Sequence, residues 1–133
     1  MSDNPHKRVP AKASQHAGAG PYSPVIEVDA RRLVVLSGQV AIDLDGRVVG
    51  ETIEEQTRVT VENCRRQLET AGVGLGDVFK ANIYLRDLAD WSRFNAVYEE
   101  LMPRPLPVRT AVQTVLLNDF LIEIEMWAIK PDR

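Results

Sequence analysis

A chain of 133 residues, 44% hydrophobic and 26% charged, is sized and composed for one globular domain with a single core. Its formal net charge of −3, with no basic run beyond pairs such as Arg31-Arg32, argues against a phosphate-tracking surface, which needs a concentrated positive field. The one cysteine, Cys64, excludes an internal disulfide and a cysteine metal cluster, and the longest aliphatic run, Leu33 to Leu36, falls far short of the ~20 apolar residues of a membrane helix.

Residues 1–17 are polar, small and interrupted by Pro5 and Pro10, so they read as a mobile tail ahead of one domain over 18–133. His6 and His16 read as solvated side chains of that tail, because two isolated histidines lack metal-ligand spacing. Lys7 and Arg8 precede no apolar segment, which speaks against a secretory signal. With a single cysteine, the expected location is a reducing compartment, the cytoplasm.

The turn-rich stretch from Gly18 to Pro24 leads into a short strand over 25–28. A stronger one follows over 32–37, where leucines and β-branched residues cluster. Asp45-Gly46 supplies hairpin chemistry before a strand at 47–49. Thr52 and Glu55 form a capping box that opens a helix to about Ala71. Its buried stripe runs through Ile53, Thr57, Thr60, Val61, Cys64, Leu68 and Ala71, and Gly72 stops it. Cys64 on that stripe reads as a small core residue. Gly72, Gly74 and Gly76 follow a helix instead of a strand, which is the wrong context for a dinucleotide cradle.

A strand over 78–85 comes next. A second helix runs from an Asp90 cap to about Leu101, with Trp91, Phe94, Val97, Tyr98, Leu101 and Met102 on its buried face. Pro103, Pro105 and Pro107 end it. Two last strands cover 108–115 and 120–129. The order β-β-β-α-β-α-β-β points to an α+β fold, a single mixed sheet with two helices on one face. The other face needs cover, and in so small a chain subunit packing supplies it.

Alternation along the last two strands places Arg109, Ala111, Gln113 and Val115 on one face, and Leu121, Glu123, Glu125, Trp127 and Ile129 on another. A guanidinium in a strand-forming run needs a carboxylate or a ligand anion as partner. Glu123 and Glu125 lie about 7 Å apart among large apolar residues. The residues alone leave two readings open: a salt bridge from Arg109 to Glu123 or Glu125 across neighbouring strands, or a cleft that binds an organic anion.

Five motifs stand in register from Gly20 to Ile129: Gly20-Pro21-Tyr22-Ser23, Leu36-Ser37-Gly38-Gln39-Val40, Phe94-Asn95-Ala96-Val97-Tyr98, Pro107-Val108-Arg109-Thr110 and Ile122-Glu123-Ile124-Glu125. Together they resemble the RidA/YjgF family of imine deaminases. The resemblance implies a chorismate-mutase-like fold and a homotrimer with clefts between subunits. It implies a cytoplasmic hydrolase that acts on C=N bonds and takes no cofactor or metal. Such an enzyme converts reactive 2-imino and enamino acids, as 2-iminobutanoate/2-iminopropanoate deaminases do, to 2-oxo acids and ammonia. Carried over residue by residue, Arg109 anchors the substrate carboxylate and Glu123 positions the attacking water. Tyr22, Ser37, Gly38 and Asn95 line or support the cleft, and the backbone N–H of Ala111 is a second donor.

Three departures bear on specificity: Ala111 replaces a common cysteine, Leu117-Asn118-Asp119 lacks the usual proline of the turn before the last strand, and some of the bulky Trp91, Leu106, Phe120 and Trp127 could narrow or line the pocket. Competing readings are a non-catalytic trimer that binds or senses small carboxylates and, with less support from the acidic balance, an endoribonuclease.

Overall fold

The longest helix, α1 (Ile53–Glu69), starts where its cap dictates. Thr52 accepts from the Glu55 backbone N–H at 3.1 Å, and the Glu55 carboxylate accepts from the Thr52 backbone N–H at 3.2 Å. Each thereby satisfies a donor that has no partner within the helix. Ile53, Thr57, Thr60, Val61, Cys64 and Leu68 are all buried, as the stripe requires. Gly72 ends the turn at φ +77°, a conformation that a Cβ disfavours. Burial pushes the Cys64 thiol up to about 12, which fits a core side chain and not a nucleophile.

The computed structural model describes residues 4–29 and 31–132. In chain order the strands are β1 (Lys7–Arg8), β2 (Glu27–Val28), β3 (Leu33–Val35) and β4 (Gln39–Val40) before α1, then β5 (Val78–Leu85), the helix α2 (Trp91–Leu101), β6 (Val108–Gln113) and β7 (Ile122–Ile129). One five-stranded mixed sheet carries both helices on a single face. Its order is β3-β7-β5-β6, with β4 also paired to β7. β5 and β6 are parallel, joined across α2, and β7 runs antiparallel between β5 and the β3–β4 edge. The core lies between sheet and helices: Ala81, Ile83, Ile122, Ile124 and Met126 from the sheet, Leu68, Phe94 and Tyr98 from the helices. On the helix-free face Leu33, Val35 and Val112 stay 42–54% exposed.

Three expectations change. The strand at 47–49 is reduced to one bridge, Ile42 to Val48, around the Asp43–Arg47 turn, in which Asp43 Oδ1 accepts from the Asp45 and Arg47 N–H groups. Asp90 makes no capping bond; Asp87 caps the 3₁₀ turn before α2 instead, accepting from Ala89 N–H.

The expected tail boundary at 17/18 also fails to separate residues 4–8 from the body. β1 pairs with β2. Asn4 donates to the Ile129 carbonyl at 2.8 Å, Lys7 Nζ to the Val78 carbonyl at 2.6 Å, and His6, buried rather than solvated, meets Asp132 at 3.2 Å. These polar side chains are buried because main-chain and carboxylate acceptors on the body receive them. His16 is exposed, as expected.

Burial lowers the Lys7 amine to about 8, against the opposing pull of Asp77. Between that value and the ordinary 10.5 the unfolded chain binds more protons than the folded one. Stability from this group is therefore depressed at neutral pH and recovers as pH rises through the window. The difference in melting temperature, wild type minus Lys7→Met, should climb from pH 8 to 10.5. A flat difference would mean that Lys7 is not buried as described.

Candidate functional site

Arg109 lies on β6 opposite Ala81 of β5. Register partners in a sheet project to the same side, so Arg109, like the buried Ala81, points to the helix face. There its guanidinium carbon sits 5.1–5.4 Å from the ring centres of Tyr22, Trp91, Phe94 and Tyr98. Gly20 closes the remaining side. A methyl placed on it would lie 3.2 Å from Arg109 Nη2 and 3.5 Å from Asn95 Nδ2.

No carboxylate joins this box among the described residues, and both Nη atoms are buried without a hydrogen-bond partner. So are Asn95 Oδ1 and the Tyr98 hydroxyl. Burial pushes the guanidinium's proton affinity down, as it must for a cation with no anion beside it. A groove of roughly 840 Å³ reaches Tyr22, Trp91 and Asn95 from outside. Buried polar groups are nearly always paired, so two donors and two further polar atoms gathered at one point mark a place prepared for a polar ligand.

Glu123 belongs to a second cluster. It stands opposite Tyr84 on β5 and Val40 on β4, on the helix-free face. β3 and β4 both pair with β7, yet three residues separate Val35 from Gln39 while two separate Trp127 from Ile124. The extra residue is a bulge at Ser37-Gly38, and it brings the Gly38 backbone onto the Glu123 side chain. A methyl on Gly38 would fall 2.1 Å from Glu123 Oε2, so only glycine admits the carboxylate there. Among the described residues the Glu123 carboxylate has no hydrogen bond or ion pair.

The loop that leads into Glu123 is held from beneath. Arg86 donates to the carbonyls of Phe120, Leu116 and Asn118 at 2.7–2.9 Å. Gln56 donates to the Asp119 carbonyl at 3.1 Å and accepts from Leu121 N–H at 2.8 Å. Asn118 takes φ +49°, which asparagine tolerates better than most residues. This clamp fixes the turn that lacks the proline.

Of the two readings left open by the residues, the salt bridge from Arg109 to Glu123 or Glu125 is absent. β5 separates β6 from β7, and the arginine and the glutamates project from opposite faces. Of the expected site residues, Tyr22 and Asn95 gather round Arg109, with Ala111 two positions along the same face. Gly38 meets Glu123, with Ser37 next to it in the chain. The box formed by Gly20, Trp91, Phe94 and Tyr98 was legible only as a helix core face and a motif glycine.

Comparison with known proteins gives this arrangement a family. The family model described as endoribonuclease L-PSP matches residues 12–130, nearly the whole chain. The chain belongs to the YjgF/RidA family. It is 41% identical over 105 residues, 79% of this chain and 81% of the relative, to the mitochondrial protein mmf2 of Schizosaccharomyces pombe. It is 35% identical over 118 residues, 86% of this chain and 91% of the relative, to the 2-iminobutanoate/2-iminopropanoate deaminase of Salmonella typhimurium. The crystal structure of a YjgF-family protein of Neisseria meningitidis superposes with a TM-score of 0.69 at 31% identity, covering 84% of this chain and 89% of that one. The α+β architecture is thus the YjgF/RidA fold, with the chorismate-mutase-like arrangement expected from the motifs.

Proposed function

We propose that this YjgF/RidA protein hydrolyses 2-imino and enamino acids to 2-oxo acids and ammonia, at sites completed between copies of the chain. The observation that carries the reading is a buried guanidinium without an anion. Such a fork binds a carboxylate through two parallel hydrogen bonds. Arg109 therefore anchors the substrate carboxylate within the Tyr22, Asn95 and Trp91 surround, with the Ala111 N–H as a further donor. A protonated imine is already electrophilic at carbon. A water held by Glu123 adds there while Glu123 takes one of its protons. Glu123 returns that proton to the nitrogen of the carbinolamine, the C–N bond breaks as the new hydroxyl becomes the carbonyl of the 2-oxo acid, and the hydroxyl proton leaves with the nitrogen as ammonium. Ser37 and Gly38 shape the water side. In this chemistry no metal, cofactor or nucleophilic side chain takes part.

Arg109 and Glu123 of one copy lie on opposite faces of their own sheet. One substrate can touch both only if a neighbouring copy brings its helix-free face to the box. A head-to-tail ring repeats that contact and closes, and a homotrimer does so. It would also cover Leu33, Val35 and Val112.

The direct test supplies imino acids from an amino-acid oxidase and follows 2-oxo acid release. Acceleration that disappears with Arg109→Ala supports the reading. Saturable binding of 2-oxo acids without acceleration would replace it with the ligand-binding or regulatory one. RNA cleavage that survives stringent purification and is lost with Arg109→Ala would favour the activity in the family model's description.

Gly38→Ala tests the water side alone. The added methyl must push the carboxylate aside, and a displacement of about 1 Å costs on the order of 10²-fold in turnover. Binding of 2-oxobutanoate, which depends on Arg109, should stay unchanged. Full turnover in this variant would remove Glu123 from the reaction. The proposed location is the cytoplasm; since mmf2 is named a mitochondrial protein, fractionation of the native cell decides between the compartments.

A further inference from the structure

Two carboxylates share the helix-free face two residues apart on β7, and they are treated differently. Glu125 Oε1 accepts from the Tyr84 hydroxyl at 2.5 Å and from Asn82 Nδ2 at 3.3 Å. The Glu123 carboxylate accepts nothing among the described residues. The register makes this asymmetry informative. Tyr84 stands directly opposite Glu123, and Asn82 opposite Glu125. Direct partners lie closer than diagonal ones, yet the phenol crosses diagonally to Glu125. The Glu123 carboxylate meanwhile turns toward Gly38, on the β4 side of its strand.

We propose that Glu125 is a positioning residue: by holding the Tyr84 hydroxyl, it keeps that proton donor off Glu123 and leaves Glu123 bare to receive a proton from water. The inference deepens the role given to Glu123 above and rests on it. A carboxylate that accepts a phenol hydrogen bond is a weaker proton acceptor. Glu125 Oε1 takes that phenol bond and a second from the Asn82 amide, whereas Glu123 keeps its lone pairs for a water. The phenol's proton is held more firmly than usual, first by the bond to Glu125, then by burial and by the charges of Glu125 and Glu123. Glu123 is thus close enough for its charge to be felt at Tyr84. Without Glu125, the nearest acidic acceptor for that hydroxyl is Glu123.

The experiment compares turnover and 2-oxo acid affinity in Glu125→Ala, Glu125→Gln, Tyr84→Phe and the Tyr84→Phe/Glu125→Ala double variant. Glu125→Ala should lose on the order of tenfold in turnover, with affinity unchanged, because the base is capped and the anchor untouched. Tyr84→Phe alone should match wild type, and added to Glu125→Ala it should restore turnover. Glu125→Gln should keep turnover, since the amide oxygen still accepts both donors.

A loss in Glu125→Ala that Tyr84→Phe does not relieve would overturn the proposal, as would wild-type turnover in Glu125→Ala or an equal loss in Glu125→Gln. Should the alanine variant fail to fold, Glu125→Val, a better strand former, carries the same comparison. Glu123→Gln run in parallel separates the two layers. If it stays active, the assignment of Glu123 fails; if it is inactive while Glu125→Ala is not, only the present inference fails.

Discussion

Arg109→Met should abolish imine hydrolysis and leave the protein at least as stable as wild type. The two halves of that result have one cause. Each charge-assisted hydrogen bond to a carboxylate contributes about 1.5–3 kcal/mol, so losing a bidentate pair lowers kcat/KM by roughly 10²–10⁴-fold. In the folded protein without substrate, the same guanidinium has no anion beside it and both Nη atoms buried. The surrounding rings recover part of the desolvation cost, about 0.5–2 kcal/mol per cation–π contact. A thioether side chain of similar volume contacts aromatic rings too and carries no charge to desolvate. Replacing buried ions by apolar side chains is commonly neutral or stabilising by about 1–4 kcal/mol. Thermal melting of Arg109→Met beside the oxidase-coupled assay checks both halves. A large fall in melting temperature would show the guanidinium to be a structural member of the core, and the anchor assignment would go with it.

That conflict between local rule and function was only partly legible in the sequence. The α1 stripe and capping box needed no tertiary information, because caps and periodicity are local. Alternation identified which residues of 108–113 and 122–129 share a side of their own strand. It could not say which sides coincide. Chain order suggested that the last two strands are neighbours, which kept a salt bridge open. A parallel β5–β6 pair across α2 places β6 outside and lets β7 return between β5 and β3, and that crossover sets Arg109 and Glu123 apart. The burial of Asn4, His6 and Lys7 was illegible for a related reason: their acceptors are the Ile129 and Val78 carbonyls and Asp132, all more than 70 residues away. Gly38 appeared as a motif glycine, but its role as the floor under Glu123 depends on a bulge that only pairing with β7 defines.

Arg109→Met and Glu123→Gln, each inactive alone, should restore activity to one another when co-expressed. If one substrate is gripped by Arg109 of one copy and hydrolysed beside Glu123 of the next, a contact works whenever its arginine comes from the Glu123→Gln chain and its glutamate from the Arg109→Met chain. In a random one-to-one mixture each contact has about one chance in four of that composition, whatever the number of copies in the ring. Co-assembled protein should therefore recover about a quarter of wild-type turnover. Purified single variants mixed without subunit exchange should recover none, and brief unfolding and refolding together should bring the activity back. Only opposed faces and closure enter this outcome, so it does not depend on the trimer. Silence after verified co-assembly would mean that no site is shared between copies, leaving the buried fork and the bare carboxylate without a common substrate.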